Sequence, residues 1–181
     1  MQRVKLNNGI EMPILGFGVF QIPPEDTKRC VLDAIKVGYR GIDTAQSYFN
    51  ESEVGEAITE CDIPREELFI TTKIWIDNYG YEKCKASFTE SLRKLQTEYV
   101  DLVLLHQPFA DYYGAYKALE ELYKEGKIRA IGVSNFYPGR LADICLFGRE
   151  IIPAVNQVEV NPLNAQFEAQ ENMEKYGKIW R

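Results

Sequence analysis

Five apolar runs in this chain each end in a polar or ionisable residue. Gly41-Ile42 runs into Asp43, Phe69-Ile70-Thr71-Thr72 into Lys73, and Val100 to Leu105 into His106. Ile131-Gly132-Val133 runs into Ser134-Asn135, and Ala154-Val155-Asn156 into Gln157. Tyr48 follows five residues after Asp43. A phenol gives up its proton reluctantly, and an ammonium beside it favours the phenolate. Tyr48 with Lys73 therefore reads as an acid and its tuner, with Asp43 holding the lysine charged and oriented. His106, the only histidine of the chain, offers an N–H to a substrate oxygen. Together these residues could deliver a proton to a carbonyl. None can supply hydride, so a nicotinamide cofactor is expected. The amides of Asn135 and Gln157, with the Ser134 hydroxyl, are suited to gripping its carboxamide.

The elements that must position these residues show in the patterning. Asn8-Gly9 between apolar neighbours predicts a small hairpin ahead of a first core run, Ile14 to Phe20. Further strands are predicted to begin near Tyr39, Phe69, Val100, Ile128 and Ala154, at the spacing of βαβ units. Helical periodicity runs from Pro24 to just before Gly38, from Tyr81 to Leu95, from Asp111 to Lys124 with Gly126 as cap, and from Asn164 to Tyr176. Val100 to Leu105 is almost continuously apolar, as parallel strands buried on both faces are. Periodicity alone fits both an open doubly wound sheet and a (β/α)8 barrel. The dinucleotide fingerprint of the former is absent, because Gly16-Phe17-Gly18 is not followed by a third glycine. Polar residues at the carboxyl ends of five consecutive strands favour the barrel, whose active sites sit on that face.

Bulk properties narrow the partners. A net charge of -6 argues against nucleic acid, which needs clustered Lys and Arg. No stretch is apolar and long enough to span a bilayer, so no membrane partner is expected. Cys30, Cys61, Cys84 and Cys145 are scattered without a CxxC pair, which predicts reduced thiols, no metal site and a cytoplasmic protein. Blander roles compete for each residue: Asp43 as a turn cap, Ser134-Asn135 as a helix N-cap, and Trp75 and Phe109 as core packing rather than substrate pocket. Glu66-Glu67 and Glu120-Glu121 read as solvated helix faces.

Gly41-Ile42-Asp43-Thr44-Ala45-Gln46-Ser47-Tyr48, Thr71-Thr72-Lys73-Ile74-Trp75, Leu105-His106-Gln107-Pro108, Gly132-Val133-Ser134-Asn135-Phe136 and Val155-Asn156-Gln157-Val158-Glu159 resemble, in order, the motifs of the aldo-keto reductase family. The likeness is greatest to bacterial diketogluconate and glyoxal or methylglyoxal reductases. The resemblance implies an α/β chain of (β/α)8 TIM-barrel type, with about six of the eight units in a single domain, residues 1–181, incomplete at its C-terminus. It places a catalytic tetrad on Asp43, Tyr48, Lys73 and His106, and cofactor contacts on Gly18, Val19, Phe20, Asp43, Ser134, Asn135 and Gln157. Phe20, Trp75, His106 and Phe109 would line the substrate pocket. The implied activity is NADPH-dependent reduction of a small aldehyde or ketone, with NADH as the other cofactor and no metal. A full-length barrel implies a monomer, whereas six strands alone imply association through unpaired edges. The competing expectation is a catalytically silent fragment, or an interaction subunit, with a reductase-like fold.

Overall fold

The computed structural model describes residues 2–147 and 150–176. A hairpin opens it, β1 (Arg3–Lys5) pairing antiparallel with β2 (Glu11–Pro13), Val4 opposite Met12. Its turn includes Gly9 at φ 89°, a conformation glycine adopts without steric cost. Six parallel strands follow in sequence order: β3 (Gly16–Gly18), β4 (Gly41–Asp43), β5 (Phe69–Ile74), β6 (Leu102–Leu105), β7 (Ile131–Ser134) and β8 (Asn156–Gln157). Between and after them come α1 (Pro24–Lys36), α2 (Glu51–Glu60), α3 (Tyr81–Leu95), α4 (Tyr112–Lys124), α5 (Pro138–Leu146) and α6 (Phe167–Lys175). The class is α/β of the (β/α)8-barrel type, with six strand–helix units and β3 and β8 as the outer strands.

The sheet is curled. β4 and β8 lie four strand steps apart, which on a flat sheet is about 19 Å. Gln157 on β8 nevertheless donates through Nε2 to Oδ2 of Asp43 on β4 at 2.9 Å. The hairpin lies against the opposite end, where Asn7 and Asn8 donate to the carbonyls of Pro153 and Arg129 at 3.0 and 2.9 Å.

Strand parity decides which side chains face the inside of the curl. Phe69, Leu102, Leu104, Ala130 and Ala154 form an inner cluster with Leu6, Ile10 and Met12 of the hairpin region. Residues of the opposite parity on the same strands, Ile70, Ile74, Val103, Leu105, Ile131 and Val133, pack outward under the helices. Thr71 and Lys73, two and four residues after Phe69, share its parity. At the amino-terminal end of the strands, Asp101 is fully buried and accepts from Arg65 Nη2 (2.8 Å), Arg129 Nη1 (2.6 Å) and the Ile70 amide (2.9 Å).

The ladders begin later than the apolar runs. Val100 and Ile128 form only an isolated parallel bridge, two and three residues ahead of β6 and β7. α3 spans the predicted Tyr81–Leu95, and α1, α4 and α6 agree to within a few residues. Two helices lack a sequence prediction. α2 is short and carries Gly55 at its middle, while α5 offers only Leu141 and Ile144 as buried positions. Glu120 is a correction: it is buried, not solvated, and Oε1 accepts from the amides of Glu150 and Ile151 at 2.8 and 3.0 Å. Residues 177–181 lie outside the described residues.

Gly55 exists where α2 crosses the end of α3. A Cβ there would fall 2.2 Å from the Lys94 carbonyl oxygen and 2.8 Å from the Leu95 carbonyl carbon. Gly55→Ala is expected to lower the unfolding free energy by about 1–3 kcal/mol in urea titrations. Gly139→Ala in α5, with nothing within 4 Å of the new Cβ, should be neutral or slightly stabilising. Equal effects at the two sites would refute the close packing of α2 on α3.

Candidate active site

The carboxyl ends of the strands bring Asp43, Tyr48, Lys73 and His106 into one cluster. Asp43 closes β4, Lys73 is the penultimate residue of β5, and His106 follows β6, its amide donating to the Ile74 carbonyl at 3.2 Å. Tyr48 ends a short 3-10 turn, Gln46–Tyr48, after which Phe49 at φ 58° redirects the chain into Asn50 and α2.

Lys73 is the centre of the cluster and its side chain is 1% exposed. Nζ donates to Asp43 Oδ1, to the Thr44 carbonyl at 3.0 Å and to Tyr48 Oη at 3.2 Å. Three acceptors match the three hydrogens of an ammonium. Asp43 does not cap the following turn, whose N-cap Ala45 has no side-chain hydrogen bond. Its two oxygens are divided between Lys73 and Gln157.

His106 stands edge-on between two rings, Tyr48 at 5.7 Å and 78° and Trp75 at 5.1 Å and 76°. Phe20 covers Tyr48 at 4.9 Å while remaining 63% exposed. Burial first, and the Lys73 charge second, push the His106 imidazole down to about 4, against a partial opposing effect of Asp43. It is therefore neutral at pH 7.

Ser134, Asn135 and Gln157 join the ends of β6, β7 and β8. Ser134 Oγ donates to the Gln157 carbonyl at 2.9 Å and accepts from Asn135 Nδ2 at 3.2 Å. Asn135, at φ 60°, also donates to the His106 carbonyl at 3.3 Å. Neither residue caps α5, whose N-cap is Tyr137 without a side-chain bond. Gly18, Asp43 and Gln157 line an inner cavity of about 330 Å³, together with Thr71 and Phe69. Val19 lies beside this cavity in sequence but its side chain is fully buried in the layer under the helices. Phe109 is 58% exposed on the loop after β6 and makes no ring contact with the cluster among the described residues. Cys84 and Cys145 carry no low-pKa thiol, since burial pushes them up to about 12 and about 11.

A supporting shell went unread in the sequence. Buried Asn50 donates to the carbonyls of Val19 (3.0 Å) and Ile22 (3.2 Å) and accepts from Thr44 Oγ1 (2.9 Å), tying the β3 loop to the Tyr48 turn. Gln46 Oε1 accepts from the Trp75 amide and from Asn78 Nδ2, both at 2.9 Å, and Nε2 donates to Ser91 at 3.1 Å. Buried Glu51 accepts from Thr72 at 2.7 Å and Ser91 at 3.3 Å, and burial holds its carboxyl above the usual range. The available signal was a cluster of amides and a carboxylate, Gln46, Asn50 and Glu51, within six residues. Ser47, whose Oγ lies 3.3 Å from His106 Nδ1, belongs to the same turn.

The depressed imidazole has a consequence for pH. An exposed histidine titrates near about 6.5, so between that pH and about 4 the unfolded chain binds a proton that the folded chain refuses. The stability contributed by neutral His106 should be complete above about pH 6.5 and lost as the pH falls towards about 4. Proton NMR of the single imidazole should show a midpoint at about 4; a midpoint near that of exposed histidine would refute the desolvated site.

The sequence and the fold of this chain resemble those of known proteins. Residues 14–178 match the model of the aldo/keto reductase family. The glyoxal reductase of Bacillus subtilis (strain 168) is 51% identical over 170 residues, an alignment that takes in 93% of this chain and 61% of that protein. Among solved structures, an aldo/keto reductase from Brucella melitensis superposes with a TM-score of 0.95 at 40% identity, covering 97% of this chain and 68% of that one. A Bombyx mori aldo-keto reductase in complex with NADP superposes with a TM-score of 0.90 at 34% identity, covering 97% and 64%. The chain thus spans about three fifths of the length of its curated relatives. By the match over most of its length, the chain belongs to the aldo/keto reductase family.

Proposed function

We propose that this chain carries the proton-delivery and carbonyl-binding centre of an oxidoreductase that reduces small aldehydes or ketones to alcohols with NADPH. The observation that carries this reading is the bond pattern of Lys73, whose buried ammonium touches both the Asp43 carboxylate and the Tyr48 hydroxyl. Family membership, and relatives bearing reductase names, support the reaction class. The NADP complex of the Bombyx mori relative favours NADPH over NADH.

In this scheme Tyr48 donates its hydroxyl proton to the carbonyl oxygen as that oxygen gains charge. The phenolate left behind is stabilised by Lys73, at 3.2 Å. Asp43 offsets the buried ammonium and fixes its direction. His106, neutral, offers an N–H that orients the carbonyl oxygen towards Tyr48. Phe20 and Trp75 wall the cluster with apolar rings and limit water beside the reacting oxygen.

The residues fit a nicotinamide. Asn135 Oδ1 and Gln157 Oε1 accept no hydrogen bond among the described residues, leaving acceptors for a carboxamide NH2. Ser134 and Gly18 are the last residues of β7 and β3, at the same carboxyl end of the sheet. Reduced nicotinamide, when bound, supplies the hydride that the carbonyl carbon takes up.

A second reading is favoured by one observation: β3 and β8 each have a single strand neighbour among the described residues. Open edges pair readily with other chains, and in that reading the fold associates through them and turns nothing over. NADPH fluorescence titration separates the two, since an associating, silent chain would bind none.

The test of the first reading is Tyr48→Phe, assayed by consumption of NADPH with glyoxal as probe. Loss of the general acid is expected to cut turnover by about 10²–10⁴-fold, with circular dichroism and unfolding midpoint unchanged. Turnover preserved in the folded variant would sink the mechanism.

A further inference from the structure

His106 is gripped by contacts that leave one question open. Tyr48 and Trp75 pack edge-on against the imidazole from two sides and hold its plane. Such contacts cannot distinguish the ring from its 180° flip, nor one neutral tautomer from the other. A neutral imidazole has one N–H donor and one bare acceptor nitrogen. Only the donor nitrogen can hold a carbonyl oxygen. With the tautomer reversed, two lone pairs would face each other and the site would repel the oxygen it has to orient.

One hydrogen bond to the ring is asymmetric. Ser47 Oγ lies 3.3 Å from Nδ1, while Nε2 takes no hydrogen bond among the described residues. We propose that Ser47 is a positioning residue: its hydroxyl donates to Nδ1 of His106, which places the imidazole proton on Nε2 and aims that N–H at the substrate oxygen. This assignment deepens the carbonyl-reductase reading and rests on it for its purpose, though not for its geometry.

The turn that presents Ser47 is held on both flanks. The Tyr48 amide donates to the Ala45 carbonyl at 3.0 Å, closing the 3-10 turn. Gln46, the preceding residue, anchors the Trp75 amide and Asn78 through one oxygen. The same short turn therefore fixes Ser47 at one edge of the imidazole and, through Gln46, the Trp75 ring at another. A serine hydroxyl, free to rotate about its own bond, can aim its hydrogen at Nδ1 without moving the backbone.

The chain contains a single histidine, so imidazole nitrogen resonances belong to His106 alone. Long-range ¹⁵N–¹H correlation spectra of the intact chain at neutral pH would read the tautomer directly. In the native chain Nδ1 should resonate as the bare nitrogen and Nε2 as the protonated one. Ser47→Ala should shift the tautomer ratio by about 2- to 10-fold towards Nδ1–H, the value of one neutral hydrogen bond, and Ser47→Thr should restore it. A native Nδ1–H tautomer, or a ratio unmoved in a folded Ser47→Ala chain, would overturn the assignment. The spectra do not depend on turnover, so failure of the Tyr48→Phe assay would remove the carbonyl-reductase reading without touching this result.

Discussion

A lysine ammonium buried to 1% exposure has lost its hydration, a loss of several kcal/mol unless protein charges and dipoles replace the water. Lys73 finds all of its replacements in one short stretch: the Asp43 carboxylate, the Thr44 carbonyl and the Tyr48 hydroxyl. That requirement constrains much else. β4 and β5 must pair with Asp43 beside Thr71, so that Lys73 rises one pleat above the carboxylate. The chain after β4 must turn back at once to return Tyr48 to the same charge. Within β5 the lysine must keep inward parity, because Ile70 and Ile74 on the other face lie in the layer under the helices. Slippage by one residue would drive the ammonium into that apolar layer.

The turn that answers this demand is itself supported by buried polar groups. Asn50 uses both ends of its amide, against Thr44 on one side and Val19 and Ile22 on the other. Gln46 bridges to the end of β5, and Glu51 bridges Thr72 of that strand to Ser91 of α3. These are second contacts of residues adjacent to the site, and they convert a flexible loop into a rigid mount. At the other end of the strands the chemistry differs in kind. Asp101 is a buried anion satisfied by two arginines and a backbone amide. The candidate site gathers at the carboxyl end and structural charge at the amino end, a division seen in barrel folds.

Legibility in the sequence followed how local the controlling physics is. α3 was readable to the residue because Cys84, Phe88 and Leu95 keep helical spacing on one buried face. α2 and α5 were not, since each is too short to build a periodic signal and leans on its neighbours for stability. Glu120 looked like ordinary surface, and nothing local signals that the amides of residues 150 and 151 will descend on it. Ser47 was visible only as a residue between two others, its link to His106 spanning 59 positions.

The sequence by itself determined the identity and order of the chemical groups. Strand periodicity with a polar residue at each carboxyl end names Asp43, Lys73, His106, Ser134 and Gln157, because residue type and parity are local properties of the chain. Distance is not local. Only the tertiary structure decided that Gln157 reaches Asp43 across four strand steps, that three acceptors meet Lys73, and that His106 is neutral between two rings. Those outcomes come from the curl of the sheet and from desolvation, and both are set by the assembled core rather than by any segment within it.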